Sequence, residues 1–318
     1  MSENGKTTRE RPKGGRKKDA GKMAKASADI RGDLPSDLDF QYSVFCQTYL
    51  PYRKMEERRW FRRLGDVSLE VEAGRIINPD GSGEFMDMPL PYGEKPRLLM
   101  IHLNSEAKRT RSPVIEVEGS MTAFIARLGM DTSGPAIRRF KQQLASLACS
   151  RVSFGLRSNG RLTQVNTQVI SKFDLWFPED ESQKTLWPSQ VKLSQEYYDS
   201  LDRHAVPLDA RAVAALTGSS MALDIYCWLA QRLTRVPFNK DQVITWAAVQ
   251  AQFGLEYGRL RDFRRDFLTA LKKVSAVYPD ARLDVTGVGL TLRNSPSPVP
   301  AIQVRGLTLL EGSNKDKK

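Results

Sequence analysis

"YGRLRDFRRDFLTALKKV", residues 257–274, sets eight charged residues among large apolar ones. At about 100° per residue, Leu260, Phe263, Phe267, Leu271 and Val274 share one stripe, the pattern of an amphipathic helix docked on a core. Arg261, Arg265, Thr269 and Lys272 gather on the flank away from that stripe, and Asp262 and Asp266 lie further round beside Lys273. Taken alone, such a face reads as a solvated surface with charge pairs four residues apart. The two aspartates interrupt the cationic face that anionic lipid would require. Only the neighbouring sequence separates a surface helix from one that enters a DNA groove.

Upstream, "SSMALDIYCWLAQRL" (219–233) predicts a helix that turns Ala222, Ile225, Tyr226, Leu229 and Leu233 inward. "TWAAVQAQFG" (245–254) predicts a short second helix ending at Gly254, and the opening stretch is the third. Downstream, "ARLDVTGVGLTLR" (281–293) alternates as a hairpin with a glycine-containing tip. The same order occurs earlier in the chain. "PRLLMIHLNSEAKRT" (96–110), "GSMTAFIARLGM" (119–130, closing at Gly129) and "DTSGPAIRRFKQQLASLACS" (131–150) predict three helices, the last with Ser133 as N-cap and Pro135 in its first turn. In that third helix Ile137, Phe140, Leu144 and Leu147 form the buried stripe, while Arg138, Arg139, Gln142, Gln143 and Ser146 face outward. "RVSFGLRSNGRLTQVNTQVISKFDLWF" then alternates around Ser158-Asn159-Gly160, with Arg157 and Arg161 at the tip.

Three helices followed by a hairpin is the order of a winged helix-turn-helix unit, whose third helix is presented to the major groove. Two such copies in one chain are far more specific than one, and their weak identity indicates shared architecture rather than a sequence repeat. The expected fold is therefore α+β: two tandem winged helix-turn-helix domains with a disordered basic N-terminal tail. The expected boundaries are a tail over 1–35, a first domain over 36–185, a second over 186–300 and a C-terminal tail over 301–318. The candidate DNA-binding residues are Arg138, Arg139, Gln142, Arg157 and Arg161 in the first domain, and Arg259, Arg261, Arg265, Thr269 and Lys272 in the second.

The rest of the chain fits that frame. Its 318 residues suit about two domains, and a net charge of +12 favours a polyanionic partner. Residues 1–35 hold lysine, arginine, glycine and small residues with too little apolar surface to order themselves. Residues 40–64 bring aromatics and a helix expected from Pro51; 66–77 alternate as strands, and "NPDGSG" (78–83) is a turn. No run approaches the roughly 18 to 20 apolar residues of a membrane span, and the N-terminus has no apolar leader, so a cytoplasmic protein is expected. Cys46, Cys149 and Cys227 lie far apart in apolar sequence and read as buried thiols.

Catalytic chemistry finds no foothold. His102 and His204 are isolated, without metal-binding spacing. The same isolation argues against a rolling-circle nickase, and Tyr197-Tyr198 reads as a packed helix face. "NGKTT" (4–8) imitates the end of a phosphate-binding loop but lacks the glycine that must precede it. No catalytic residue, metal site or cofactor is expected, and the protein is not expected to be an enzyme.

Segments "LPYGEKPRLLMIHLNSEAKRTRSPVIEVEGSMTAFIARLGM" (90–130), "SSMALDIYCWLAQRL" (219–233) and "AQFGLEYGRLRDFRRDFLTALKKVSAVYPDARLDVTGVGLTLRNSPSPV" (251–299) resemble plasmid-encoded RepA-type replication initiators. The resemblance spans most of 60–300. It implies a non-enzymatic protein that binds repeated double-stranded sites at a plasmid origin, helps open it, engages the host replication initiator and replicative helicase machinery, and often represses its own promoter. It leaves a homodimer open, implies no membrane partner and carries over no catalytic residue; family members commonly have an aromatic where His102 stands. A winged-helix transcriptional regulator with no direct role in replication is the alternative. An enzyme such as a primase or relaxase would need clustered carboxylates or histidines. A basic RNA-associated protein would need an aromatic-studded strand.

Overall fold

The computed structural model describes residues 13–78, 81–128, 130–158, 160–173 and 190–300. Helix α1 (Lys13–Gly32) comes first, then strand β1 (Leu38–Tyr42), the hairpin β2 (Arg59–Leu64) and β3 (Val67–Glu72), and the short pair β4 (Arg75–Ile77) and β5 (Phe85–Asp87). A first three-helix block follows: α2 (Glu94–Thr110), β6 (Val114–Glu116), α3 (Glu118–Arg127) and α4 (Gly134–Cys149). It leads into the hairpin β7 (Arg151–Ser158) and β8 (Arg161–Gln168), and then into β9 (Ile170–Phe173). Beyond lie β10 (Gln190–Leu193), α5 (Gln195–His204), β11 (Ala205–Asp209) and α6 (Ala210–Leu216). The second block is α7 (Ser220–Arg232), β12 (Gln242–Thr245), α8 (Trp246–Phe253), α9 (Leu260–Val277) and the hairpin β13 (Leu283–Val285) and β14 (Gly289–Leu292).

The fold is α+β, with the described strands paired antiparallel. In the second block the sheet order is β12-β14-β13, so the strand between the first two helices pairs with the far arm of the hairpin. In the first block the hairpin is enlarged: β2-β3-β7-β8 form one four-stranded sheet, while β6-β10-β9 form another. Gly160 holds φ at 76° in the β7–β8 turn, a conformation that costs a residue with a Cβ. At Gly254 a Cβ would collide with the Phe263 ring, so glycine there lets α8 and α9 close on each other.

One core of buried side chains runs through both blocks. At its junction Arg97 of α2 meets Asp224 of α7 through two bonds of 2.8 Å, with side chains 3% and 8% exposed. The same guanidinium donates to the carbonyls of Leu50, Pro51 and Gly93 and lies 4.9 Å from the Tyr52 ring centre. Burial raises the Asp224 carboxyl above its usual range, and the Arg97 charge opposes that rise. Arg62 of β2 caps the carbonyls of Ala251 and Gln252 at the end of α8, and the Tyr49 ring stacks on Phe253 at 4.7 Å.

Several expectations need correcting. Lys13–Gly32 is helical where a disordered tail over 1–35 was expected. Met23, Ala26 and Ile30, spaced along one helix face, pack on the core, and Arg211 donates to the carbonyls of Asp29 and Asp33. Residues 1–12, the phosphate-loop imitation at 4–8, the 301–318 tail and Gly129 lie outside the described residues. No helix starts at Pro51; the carbonyls of Leu50 and Pro51 are instead spent on Arg97. The boundary at 185/186 separates β10 from its own sheet, since β10 lies between β6 and β9. Gln143 and Ser146 are buried rather than outward, and Gln143 accepts from the Tyr92 amide at 3.0 Å.

His102 is buried against Phe124, ring centres 4.6 Å apart, and burial, with the charges of Arg127 and Arg109, pushes its pKa down to about 3. It is a neutral core ring packed on an aromatic neighbour. Cys46 and Cys227 are buried and Cys149 half-buried, all as free thiols. Among the described residues no helix is long and apolar enough to cross a membrane.

Arg97→Ala strands Asp224 without its partner and should lower stability by about 3 to 5 kcal/mol, whereas Arg97→Met with Asp224→Leu should recover most of the loss. Urea denaturation of the three proteins measures this. An Arg97→Ala midpoint equal to wild type would remove the ion pair from any structural role.

Candidate nucleic-acid interface

Helix α9 divides its faces as its sequence requires. Phe263, Phe267, Leu271 and Val274 are buried, with Ala270 and Val277 beside them. Leu260, expected on the same stripe, is 42% exposed because it stands at the first helical residue, beyond the end of the surface that α9 packs against. Arg259 is the N-cap residue, with extended φ and ψ. Arg259, Arg261, Arg265, Thr269 and Lys272 are all exposed, as the helical spacing predicts.

The open cations are not equivalent. Arg265 donates from Nε to Asp266 at 2.9 Å and lies 3.5 Å from Asp262. The hydrogen bond and charge of Asp266 raise its already high pKa. A DNA phosphate or base edge must therefore compete with two carboxylates for Arg265. Arg261 and Lys272 have no ion-pair partner among the described residues. Thr269 turns its hydroxyl back to the Arg265 carbonyl at 2.9 Å. Arg264 sits at the rim, its guanidinium 4.7 Å from the Trp246 ring centre. Trp246 in turn donates from Nε1 to the Thr286 carbonyl in the β13–β14 connection, so Arg264 braces helix against hairpin.

That hairpin departs from expectation. Its tip carries exposed Val285 and Val288, and the adjacent Arg293 is held at the base by Asp241 at 3.0 Å and Asp284 at 2.6 Å. The tip itself supplies no cation.

In the first block, α4 exposes Arg138, Arg139 and Gln142 near its N-terminal half. Arg139 donates back to the Pro135 carbonyl at 3.2 Å. The β7–β8 hairpin exposes Arg157 and Arg161 at its tip. The two sets are tied through the core: α4 packs on α2, α9 on α7, and α2 on α7. Exposed Arg63 and Arg151 on the four-stranded sheet were missed, although alternation in "RWFRRL" (59–64) puts Arg59 and Arg63 on the face opposite Trp60.

The division of α9 is directly testable. Phe263→Ala or Phe267→Ala should each cost about 3 to 5 kcal/mol of stability, while Arg261→Ala leaves it nearly unchanged. Arg264→Ala should fall between, through the lost stacking on Trp246, worth about 0.5 to 2 kcal/mol. Thermal unfolding of the four variants checks the order, and an Arg261→Ala loss as large as that of Phe267→Ala would contradict it.

The model of the plasmid-encoded RepA protein family matches residues 90–248, half of the chain. No curated protein sequence matches it. Among solved structures, a crystal structure of domains 2 and 3 of RctB is similar with a TM-score of 0.51 at 9% identity, covering 81% of this chain and 97% of that one. A second RctB domain 2-3 structure gives a TM-score of 0.48 at 10% identity, over 73% of this chain and 82% of that one. At such identity the first likeness speaks to fold alone. The matched residues begin at the Leu-Pro-Tyr-Gly that leads into α2 and end within α8, and on them this chain belongs to the plasmid-encoded RepA protein family.

Proposed function

We propose that this chain is a plasmid replication initiator that binds repeated duplex sites at its origin through two winged-helix modules and acts without catalysis of its own. Family membership carries the replication part of the reading. The DNA-binding part rests on α9, which follows α7, β12 and α8 in the order of a winged helix and keeps its cations on the face turned from the core. The β12-β14-β13 sheet order suits a wing beside that helix.

On this reading the mechanism is electrostatic and geometric. Lysines and arginines neutralise phosphates and release counterions, which supplies affinity regardless of sequence. Arg261, unpaired and presented, pairs with a guanine edge in the major groove, and Lys272 meets phosphate further along. Arg138, Arg139 and Gln142 of α4 engage a second stretch of the same site, with Arg157 and Arg161 on the flanking backbone. Protein bound at successive repeats bends the DNA and strains a neighbouring A·T-rich segment, and host helicase machinery is recruited there.

Arg261→Ala should lose about 1 to 3 kcal/mol of binding and relax preference at one base position, while Lys272→Ala should weaken all sequences alike and lower the salt slope by about 1. Arg265→Ala should cost less than Arg261→Ala, because Asp262 and Asp266 already occupy it. Titration of origin repeats and scrambled duplex over a range of salt reads all three. A plasmid carrying only the origin should replicate when the wild-type chain is supplied. If the chain binds the repeats yet never supports replication, it is a regulator and not an initiator.

A further inference from the structure

The four-stranded sheet β2-β3-β7-β8 has a second face that the duplex reading touches only at Arg157, by the hairpin tip. Trp60, Leu69, Val71, Val152 and Phe154 point to the core. The cross-strand register then assigns the opposite face: Phe61, Glu70, Ser153 and Asn166 form one row, and Arg63, Ser68, Gly155 and Gln164 the next. Arg59, Glu72, Arg151 and Gln168 make the row beyond. Phe61 is 55% exposed on this face, an aromatic ring held in water between two arginines of its own strand.

The centre of the face is low at Ser68, Ser153 and Gly155, which carry almost no side chain, and half-buried Glu70 stands at the Phe61 end of that hollow. Phe61 and Arg63 stand on one side of this trough, Gln164 and Asn166 on the other. Glu70 and Glu72 are answered by Arg59 at 3.8 and 2.6 Å, whereas Arg63, Arg151 and Arg157 have no carboxylate partner among the described residues. Arg151 and Arg157 bracket the trough along β7, about 20 Å apart at about 3.3 Å per residue. That span matches about six stacked nucleotides.

We propose that this face binds single-stranded nucleic acid: Phe61 stacks on an unpaired base, Arg63, Arg151 and Arg157 hold phosphates, and Gln164 and Asn166 meet base edges. Cations beside an exposed aromatic are the chemistry of a single-strand platform, and a base inside a duplex has no free face to offer Phe61. The Gln164 amide now donates to Asn166 at 2.8 Å, and a base edge replaces that bond. Phe61, Arg63 and Arg151 have no part in the duplex reading, so the proposal does not depend on it; Arg157 alone is shared by the two.

The test is fluorescence anisotropy with labelled oligothymidine of about 20 nucleotides and with a duplex of the same length. Phe61→Ala should weaken oligothymidine binding on the order of tenfold and Phe61→Trp should retain it, since only stacking is at issue. Arg63→Ala and Arg151→Ala should each flatten the single-strand salt dependence by about 0.7. None of the four should change duplex affinity, and Arg261→Ala should show the reverse pattern. Oligothymidine affinity that is the same in Phe61→Ala as in wild type overturns the proposal. So does a Phe61→Ala variant whose sedimentation mass changes while its single-strand affinity does not, because the face would then join two copies of the chain.

Discussion

Arg97 donates all five of its N–H groups inside the protein: two to Asp224, and one each to the carbonyls of Leu50, Pro51 and Gly93. A guanidinium so placed has given up its water, and only a complete set of acceptors makes that tolerable. The set comes from three places: Gly93 at the N-cap of α2, the 50–51 segment ahead of β2, and α7 in the second block. The cost of losing any acceptor fixes all three relative to one another. Because α4 packs on α2 and α9 on α7, the spacing of the two outward helices follows from this buried pair. A well-packed apolar replacement would match its stability; what the pair adds is one geometry out of several.

The charge of the molecule is spread with more discrimination than a net +12 suggests. Arg211 and Lys22 are spent on tying α1 down, Arg62 and Arg97 on carbonyls and the junction, and Arg293 on two aspartates. On α9, Arg265 is clamped by carboxylates and Arg264 braces the hairpin, which leaves Arg261 and Lys272 exposed and open, with half-buried Lys273 beside them. The outward faces of α4 and α9, the β7–β8 tip and the open sheet each carry cations with no carboxylate partner among the described residues.

Elements with strong local periodicity were legible from sequence. The buried stripe of α9, the three-helix order in both blocks and the β7–β8 hairpin follow from spacing and turn residues alone. What could not be read depends on partners far away in the chain. Nothing local says that β1 pairs with β11, or that β10 enters a sheet from beyond the stretch at 174–189. Helix α1 was hidden because its apolar stripe is only Met23, Ala26 and Ile30 among lysines, too thin to order alone yet sufficient once α6 and α9 supply a surface. At the candidate interface exposure was legible and availability was not. Arg265 and Arg261 look alike in sequence, and only the side-chain geometry gives Arg265 its aspartates.

On the proposed function, two modules held in one geometry at the Arg97–Asp224 junction read neighbouring stretches of one duplex site. Hydroxyl-radical footprinting of the wild-type chain on the DNA flanking its own gene measures this. Repeated sites are expected, each with two protected segments centred about one helical turn apart, roughly 10 base pairs. A single protected segment per site, or protection that does not favour this DNA over random sequence, would contradict it.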